Sequence, residues 1–256
     1  MDPAAPLEFG FGGDFVPDRA ARQAEIRSYR SLVKLFGRAV AQPPRSDAAP
    51  VVLVPGFASG DLSLAMLARH LRRHGHRTFR SEIGANVGCT DAMVERLLRR
   101  GAAVADAEGQ RVALVGHSRG GMIVKLAAQR RPDLVSGVVV LSSPVTGTLT
   151  VAPHVRKQLE LLFRLHRRGL TSVMGADCVV GECADRIATE LAAPFPAGVA
   201  YTSVYTRADA IIDWRSCLDP AAELVELDST HTGLATDVAA HRIVADRVGR
   251  LTQLRN

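Results

Sequence analysis

The sequence is poor in lysine and in aromatic residues. Only three of its 32 basic residues are lysines (Lys34, Lys125 and Lys157), and Phe, Trp and Tyr together make up 5% of the 256 residues. The formal charge is nevertheless +6. Proteins that bind nucleic acids usually gather positive charge on one face and interleave it with aromatic side chains for base stacking. Here the arginines are spread along the chain and aromatics are few, so no nucleic-acid partner is predicted.

Long apolar runs are also missing. The longest run, around residues 138–141, is far shorter than the about 20 residues that a membrane-spanning helix needs. Residues 1–15 have no cationic start, no apolar stretch and no small-residue cleavage motif, so no export signal is predicted. A cytoplasmic location is therefore the expectation.

Cysteine is scarce as well. Four cysteines in a chain of 256 residues do not make a disulfide framework. Cys178 and Cys183 are close enough in sequence to bridge a loop, but in a reducing compartment two free surface thiols are the expected state. No metal site is predicted, because this pair lacks a second pair of ligands at the spacing of a zinc site. No glycine motif for phosphates or dinucleotides follows a strand, so no cofactor is predicted either.

From about residue 50 the sequence alternates short β-branched runs with longer stretches of helical periodicity. This alternation is typical of an α/β protein with a doubly wound, mostly parallel sheet, whose strands are joined by crossover helices. The predicted strands are residues 51–54, 77–83, 111–115, 135–141, 201–206 and 224–227. The predicted helices of this alternation are residues 62–74, 91–106, 120–129 and 237–251.

Two segments interrupt the alternation. Residues 1–50 hold an irregular start, an amphipathic helix over residues 19–40 and a polar linker; the helix is expected to pack on the sheet, with a membrane surface as the alternative. Its apolar side carries Ile26, Tyr29, Val33, Phe36 and Val40. Residues 145–200 are too long for a loop and are predicted to be an inserted cap with a helix over residues 153–168. The chain, residues 1–256, is thus predicted to be one domain with an extension and a cap.

One motif in the sequence indicates a catalytic site. The third predicted strand runs into GHSRG (residues 116–120), and a helix follows at once. The pattern G-x-S-x-G between a strand and a helix is typical of a nucleophile elbow. Glycines are needed there because the serine lies in a strained turn that packs against neighbouring backbone. Ser118 is therefore predicted to be a nucleophile at the carboxyl edge of the sheet.

These features resemble the α/β-hydrolase family, in particular its bacterial lipases and esterases. The resemblance covers residues 50–255. It rests on VLVPGF (residues 52–57), the serine turn, YTRAD (residues 205–209) and STHTGL (residues 229–234). The sequence departs from many members at Pro55, where they have histidine.

The family order of nucleophile, acid and histidine is matched by Ser118, Asp209 and His231, each just after a predicted strand. An imidazole titrates near neutrality and can move the serine proton, so His231 is the candidate base. Asp209 is the candidate acid that orients it. Asp213 remains an alternative, whereas Asp228 lies too close to His231 along one loop by the family's precedent.

The resemblance also implies an oxyanion hole made by the backbone amides of Phe57 and Arg119. The implied function is hydrolysis of a carboxylic ester, from a small acyl ester or a lipid, through an acyl-enzyme and without a cofactor or metal. An acyltransferase or thioesterase using the same triad, and a non-catalytic binding protein of this fold, stay open as alternatives.

The apolar side of the predicted cap helix has two possible roles. It is expected either to offer a wall to an acyl chain or only to cover the sheet edge. This side carries Val155, Leu159, Leu162 and Phe163. The basic residues of this helix and of the leading helix predict a weak attraction to anionic lipid surfaces.

Overall fold

The computed structural model describes residues 15–32, 40–146 and 151–253. Its centre is a sheet of six parallel strands in the spatial order β2-β1-β3-β4-β5-β6. The strands are β1 (Val51–Val54), β2 (Thr78–Arg80), β3 (Val112–His117), β4 (Val135–Leu141), β5 (Ala200–Tyr205) and β6 (Glu223–Glu226). The helices are α1 (Arg19–Leu32), α2 (Ala65–Arg73), α3 (Thr90–Glu108), α4 (Arg119–Arg130), α5 (Pro153–Arg167), α6 (Asp177–Val180), α7 (Glu182–Ala192) and α8 (Val238–Gln253). The predicted doubly wound α/β fold is confirmed.

Helices cover both faces of this sheet. Successive side chains of a strand point to opposite faces. Val52 and Val138 therefore pack on one face with α3, α4 and α7. Val51 and Val139 pack on the other face with α2 and α8. Because both faces are buried, the central strands are continuous apolar runs rather than alternating ones.

Strand β2 is shorter than the predicted residues 77–83. The backbone amide and the hydroxyl of Ser81 both donate to Asp61 Oδ1, at 3.0 and 2.7 Å, and Glu82 takes a positive φ of 61°. The aspartate thus accepts the amide that a continuing strand would give to its neighbour, and pairing stops at Arg80. The other five strands begin and end within two residues of their predicted limits.

Helix α1 packs differently from the prediction. Ile26, expected on the packed side, is 54% exposed, whereas Glu25 beside it is only 4% exposed. Glu25 and Ser28 face the loop after β6, because they find hydrogen-bond partners there. Val40 is not helical, so the helix is also shorter than the predicted residues 19–40. The side chains of Tyr29, Val33 and Phe36 lie outside the described part of the chain.

The segment between β4 and β5, called the β4–β5 segment (residues 142–199), carries α5, α6 and α7. Helix α5 matches the predicted helix to within one residue, whereas α6 and α7 had no separate prediction. Both ends of the segment are held by Lys125 of α4, which is 2% exposed. Its Nζ donates to the carbonyls of Val145 (2.9 Å) and Leu191 (2.7 Å) and pairs with Asp219 Oδ2 at 2.5 Å. A buried ammonium needs such partners, because its removal from water is costly.

Among the helices in the described ranges, none combines the length and the apolar character that crossing a membrane would demand.

Candidate active site

Ser118 lies in the turn between β3 and α4. Its backbone has φ 53° and ψ −125°, a conformation that costs energy for a residue with a side chain. A Cβ on Gly116 would lie 2.4 Å from the Gly120 carbonyl oxygen, and a Cβ on Gly120 would lie 2.3 Å from that of Val54. The turn is therefore sharp and strained, and neither flanking glycine leaves room for a side chain.

His231 and Asp209 form a buried pair at the same edge of the sheet. The ring Nδ1 of His231 lies 2.7 Å from Asp209 Oδ2, and the two residues are 3% and 4% exposed. The second carboxylate oxygen, Oδ1, accepts the amides of Ile211 (2.8 Å) and Ile212 (3.0 Å). Since a carboxylate only accepts hydrogen bonds, the proton of a neutral His231 ring belongs on Nδ1, which leaves Nε2 as an acceptor.

The other two candidate acids do not make this contact. Asp213 caps the short turn Trp214–Cys217, where its carboxylate accepts the amide of Arg215 at 3.0 Å. Asp228 is exposed. Within the described residues, Asp209 is thus the one of the three that is hydrogen-bonded to His231.

The electrostatics favour a proton on His231 rather than on the histidine beside it. Burial opposes the charge, but the attraction and hydrogen bond of Asp209, with Glu25 adding to them, raise the pKa of His231 above its usual value. His117 donates from Nε2 to the His231 carbonyl at 2.9 Å. Burial and then the nearness of His231 lower the pKa of His117 to about 4. His117 is therefore a neutral neighbour at physiological pH.

Ser118 and His231 border one cavity of about 170 Å³. In the described part of the chain, no hydrogen bond joins Ser118 Oγ to the His231 ring. Such bonds are often long before a substrate binds and tighten in its complex. The structure thus brings the serine and the Asp209–His231 pair to one site.

The two residues expected to supply oxyanion donors also reach this cavity. Arg119 begins α4, so its amide has no acceptor within the helix. Phe57 borders the cavity and follows Gly56, where a Cβ would lie only 3.1 Å from the Cβ of Ser118. Gly56 therefore permits the turn after β1 to approach the serine closely.

The side chain of Arg119 has a role that the sequence motif does not signal. Its guanidinium donates to the carbonyls of Asn86 (2.7 Å) and Gly88 (2.6 Å) and to the Thr90 hydroxyl (3.0 Å). Asn86 Nδ2 in turn donates to the Pro55 carbonyl at 2.7 Å. Burial lowers the pKa of Arg119 to about 10, which still leaves it cationic at neutral pH. These bonds hold the turn after β1 against the serine turn.

Glu25 is a second residue that sequence reasoning missed. Its Oε1 accepts the amide of Thr232 at 2.8 Å, while Ser28 and Thr230 share a hydroxyl hydrogen bond of 2.9 Å. Its Oε2 is buried without a hydrogen-bond partner in the described residues. Helix α1 thus holds the chain on both sides of His231. No local pattern marks Glu25, because its partner is 207 positions away.

The β4–β5 segment supplies an apolar part of the cavity wall. Val155 and Leu159 of α5 line it, together with Met174. Leu162 and Phe163, from the same predicted apolar side, pack in a cluster with Leu159 and Met174. The apolar side of α5 therefore both lines the cavity and packs against the rest of the segment.

Cys178 and Cys183 are free thiols, as predicted, but the expectation that both lie on the surface was wrong. All four cysteines are free, but Cys183 is 4% exposed, and Cys178 is half-buried and lines the cavity. Their Sγ atoms and that of Cys89 all lie within 4.8 Å of one another. Packing brings α3 against α7 and so places Cys89 beside Cys183, 94 positions away in sequence.

Comparison with known proteins agrees with this architecture. A family model described as the alpha/beta hydrolase fold matches residues 49–177, just over half of the chain. The chain therefore belongs to the α/β-hydrolase fold family, as its motifs predict. The matched range contains Ser118 and ends before Asp209 and His231.

Relatives and structural neighbours carry esterase and lipase names. The esterase PIR7B of Oryza sativa subsp. japonica is 35% identical over 101 residues, which are 36% of this chain and 37% of the rice protein. The match thus spans little more than a third of that relative's length.

Two solved lipase structures illustrate the shared fold. The mature lipase BlEst2 of Bacillus licheniformis has a TM-score of 0.60 at 14% identity, covering 83% of this chain and 96% of that one. The monoacylglycerol lipase of Paleococcus ferrophilus has a TM-score of 0.55 at 17% identity, covering 82% and 96%. At such identities the likeness shows the fold.

Proposed function

We propose that this protein is a serine carboxylester hydrolase of the esterase and lipase type. The observation that carries the proposal is the buried hydrogen bond of 2.7 Å between His231 and Asp209, at a cavity that also holds the strained Ser118. The esterase and lipase names of the relatives support the same reaction class.

In the proposed first half-reaction Ser118 Oγ attacks the ester carbonyl carbon, and its proton moves to Nε2 of His231. Asp209 keeps the ring in the tautomer that leaves Nε2 free and stabilises the imidazolium that forms. The amides of Phe57 and Arg119 donate to the oxyanion of the tetrahedral intermediate. Collapse expels the alcohol, which takes the proton from His231, and leaves Ser118 acylated.

In the second half-reaction water replaces the alcohol. His231 takes a proton from water as the oxygen attacks the acyl carbonyl, and it returns that proton to Ser118 Oγ when the carboxylic acid leaves. The atoms balance without a cofactor: ester and water become acid and alcohol.

The substrate class follows from the wall of the cavity. Val155, Leu159 and Met174 present apolar surface to the cavity that holds Ser118 and His231, and a few polar residues, among them His154 and Gln158, line it too. We therefore assign an ester with an apolar acyl chain. The domain organisation proposed with it is one α/β-hydrolase domain over residues 1–256, with residues 145–200 as its cap.

Hydrolysis of chromogenic p-nitrophenyl esters from acetyl to decanoyl tests the proposal. Wild type should turn them over, and Ser118→Ala should lower kcat at least about 1,000-fold, because the nucleophile is gone. Ser63→Ala, which alters a second serine bordering the cavity, should keep its activity. Equal thermal unfolding of all three proteins excludes misfolding. Full activity of Ser118→Ala would refute the serine mechanism.

Product analysis in the presence of added alcohols separates hydrolysis from acyl transfer. The free acid should dominate in dilute alcohol, because water attacks the acyl-enzyme. Dominant transesterification would instead assign the same serine to an acyltransferase.

A further inference from the structure

Three thiols meet beside the cavity, although only two of them are near in sequence. Cys89 precedes α3, Cys178 lies in α6 and Cys183 lies in α7. The three Sγ atoms lie within 4.8 Å of one another, and those of Cys89 and Cys183 are 3.7 Å apart. Cys183 is buried, and the other two cysteines are half-buried.

The 3.7 Å between the Sγ atoms of Cys89 and Cys183 matches the sulfur spacing around a thiophilic cation, and the Sγ of Cys178 lies within 4.8 Å of both. A Zn–S bond is about 2.3 Å, so tetrahedral coordination places two sulfurs about 3.8 Å apart. A disulfide needs its sulfurs about 2.05 Å apart and uses only two of them. The cluster has the wider spacing and a third thiol that a disulfide would leave over.

The charge around the cluster favours a divalent cation. The guanidinium of Arg119 interacts with Cys89 and Cys178, and its hydrogen bond to Thr90 holds it next to Cys89. Three thiolates with a divalent cation carry one net negative charge. Arg119 and Arg186 place two positive charges near the thiols, and the Asp177 carboxylate, which accepts the Cys183 amide, places one negative charge there, so these side chains balance it. A monovalent cation such as Cu⁺ would leave a negative charge uncompensated.

The three thiols differ in how easily they ionise. Burial opposes ionisation of Cys89, but the amides of Ala92 and Asp91 at the start of α3 and the two other thiols lower its pKa below the usual value. Burial and the nearness of Cys89 raise the pKa of Cys178 to about 12 and that of Cys183 above its usual value. Because a cysteine binds a metal ion as the thiolate, a bound cation would displace the thiol protons.

We propose that Cys89, Cys178 and Cys183 form a three-thiolate binding site for Zn²⁺. Binding forms three Zn–S bonds and displaces the thiol protons to solvent. The fourth position of the tetrahedron would be filled by a ligand other than these three thiolates, such as a water molecule. The cation joins the start of α3 to α6 and α7 of the β4–β5 segment. Because Cys178 lines the cavity, the site also fixes part of the wall beside Ser118.

Anaerobic titration of the reduced, full-length protein with Co²⁺ tests the site. Wild type should develop sulfur-to-cobalt charge-transfer absorption and the intense visible bands of a tetrahedral centre, saturating at about one Co²⁺ per chain, and Zn²⁺ should abolish both. Cys89→Ser and Cys183→Ser should weaken binding at least about 100-fold, because each removes a ligand. Cys217→Ala, a change at the buried fourth cysteine in a different cluster, should leave the spectrum unchanged.

Several results would overturn the site. These are the absence of charge-transfer absorption in wild type, the same spectrum in both serine variants, and uptake of Cu⁺ without Co²⁺ or Zn²⁺. The site would also be overturned if alkylation and mass spectrometry found a disulfide between two of these cysteines in the untreated protein. If Cys183→Ser does not fold, Cys178→Ser replaces it, because Cys178 is half-exposed. Ser118→Ala should bind Co²⁺ like wild type, so failure of the esterase proposal and failure of this one are separate results.

Discussion

The cavity has two sides that are built by different means. On the sheet side, Ser118, Asp209 and His231 follow β3, β5 and β6, whose carboxyl ends share one edge of a parallel sheet. Their positions follow from backbone geometry: a strained turn, close-packed glycines and strand order. The opposite side comes from the β4–β5 segment, with α1 beside it.

That second side depends on a few buried polar side chains. Lys125 anchors both ends of the β4–β5 segment, and Glu25 anchors α1 to the loop of His231. Beside them, three buried or half-buried thiols meet where the start of α3 approaches α6 and α7. Because the sheet side holds the proposed catalytic groups, changes there should act on the chemical step. Changes on the other side should act on stability, on the pH profile and on cation binding.

The largest effect is expected on the sheet side, from Asp209→Asn. An amide donates from its nitrogen and no longer fixes the proton on Nδ1 of His231, so kcat for an ester substrate should fall about 10,000-fold. Steady-state kinetics measures the loss. Asp213→Asn is the matched control, because that carboxylate caps its own turn, and it should keep nearly full activity. A larger loss in Asp213→Asn would reassign the acid.

On the other side, Lys125→Met should act on stability. The change leaves the buried Asp219 without its cation, and breaking such a pair costs about 3–5 kcal/mol. Urea denaturation followed by circular dichroism measures the free energy of unfolding. Lys157→Met, at an exposed lysine of α5, should change it by less than about 0.5 kcal/mol. Equal losses in the two variants would contradict the anchoring role of Lys125.

The smallest effect is expected from Glu25→Gln, and it concerns the pH profile. Glutamine keeps an acceptor for the Thr232 amide but removes a charge that helps raise the pKa of His231. In the proposed mechanism only neutral His231 accepts the serine proton, so activity should fall as the pH drops through the pKa of His231. A lower pKa therefore moves the acidic limb of kcat/KM to lower pH.

Helix α1 also offers a control for Glu25→Gln, namely Ser28→Ala. The groups that act electrostatically on or around His231 are Asp209, Glu25, His117 and His154. Ser28→Ala removes the hydrogen bond between α1 and Thr230 without altering any of these charges, so the acidic limb of its kcat/KM profile should not move. If the acidic limb of kcat/KM in Glu25→Gln does not move, or moves to higher pH, Glu25 supports the loop of His231 only through its hydrogen bond to Thr232.

The same division separates what the sequence could predict from what it could not. The order of strands and the motifs at residues 52–57 and 116–120 suffice to place Ser118, Asp209 and His231 at one edge, because parallel strands end together. Each of these motifs is recognised from residues that are neighbours in sequence, and the fold class alone then predicts where on the sheet it lies. Their catalytic roles stay a proposal.

The unpredicted features are contacts between single residues far apart in sequence. Glu25 and Thr232 are 207 positions apart, and the pairs Lys125–Asp219 and Cys89–Cys183 are each 94 apart. No periodicity or motif marks such a pair, since only tertiary packing decides which polar groups meet. The prediction from periodicity was also wrong for α1. It placed Ile26 on the packed side of the helix, but the structure buries Glu25 there and leaves Ile26 exposed.

Labelling with a fluorophosphonate reports on the proposed nucleophile Ser118 itself, because this reagent reacts with a serine only when a neighbouring base activates it. Intact-mass and peptide analysis should find one adduct, on Ser118 of the wild type, together with loss of esterase activity. No adduct should form on Ser118→Ala, and Asp209→Asn should react far more slowly. A folded wild type that stays unlabelled, or that is labelled on another residue, would contradict the account.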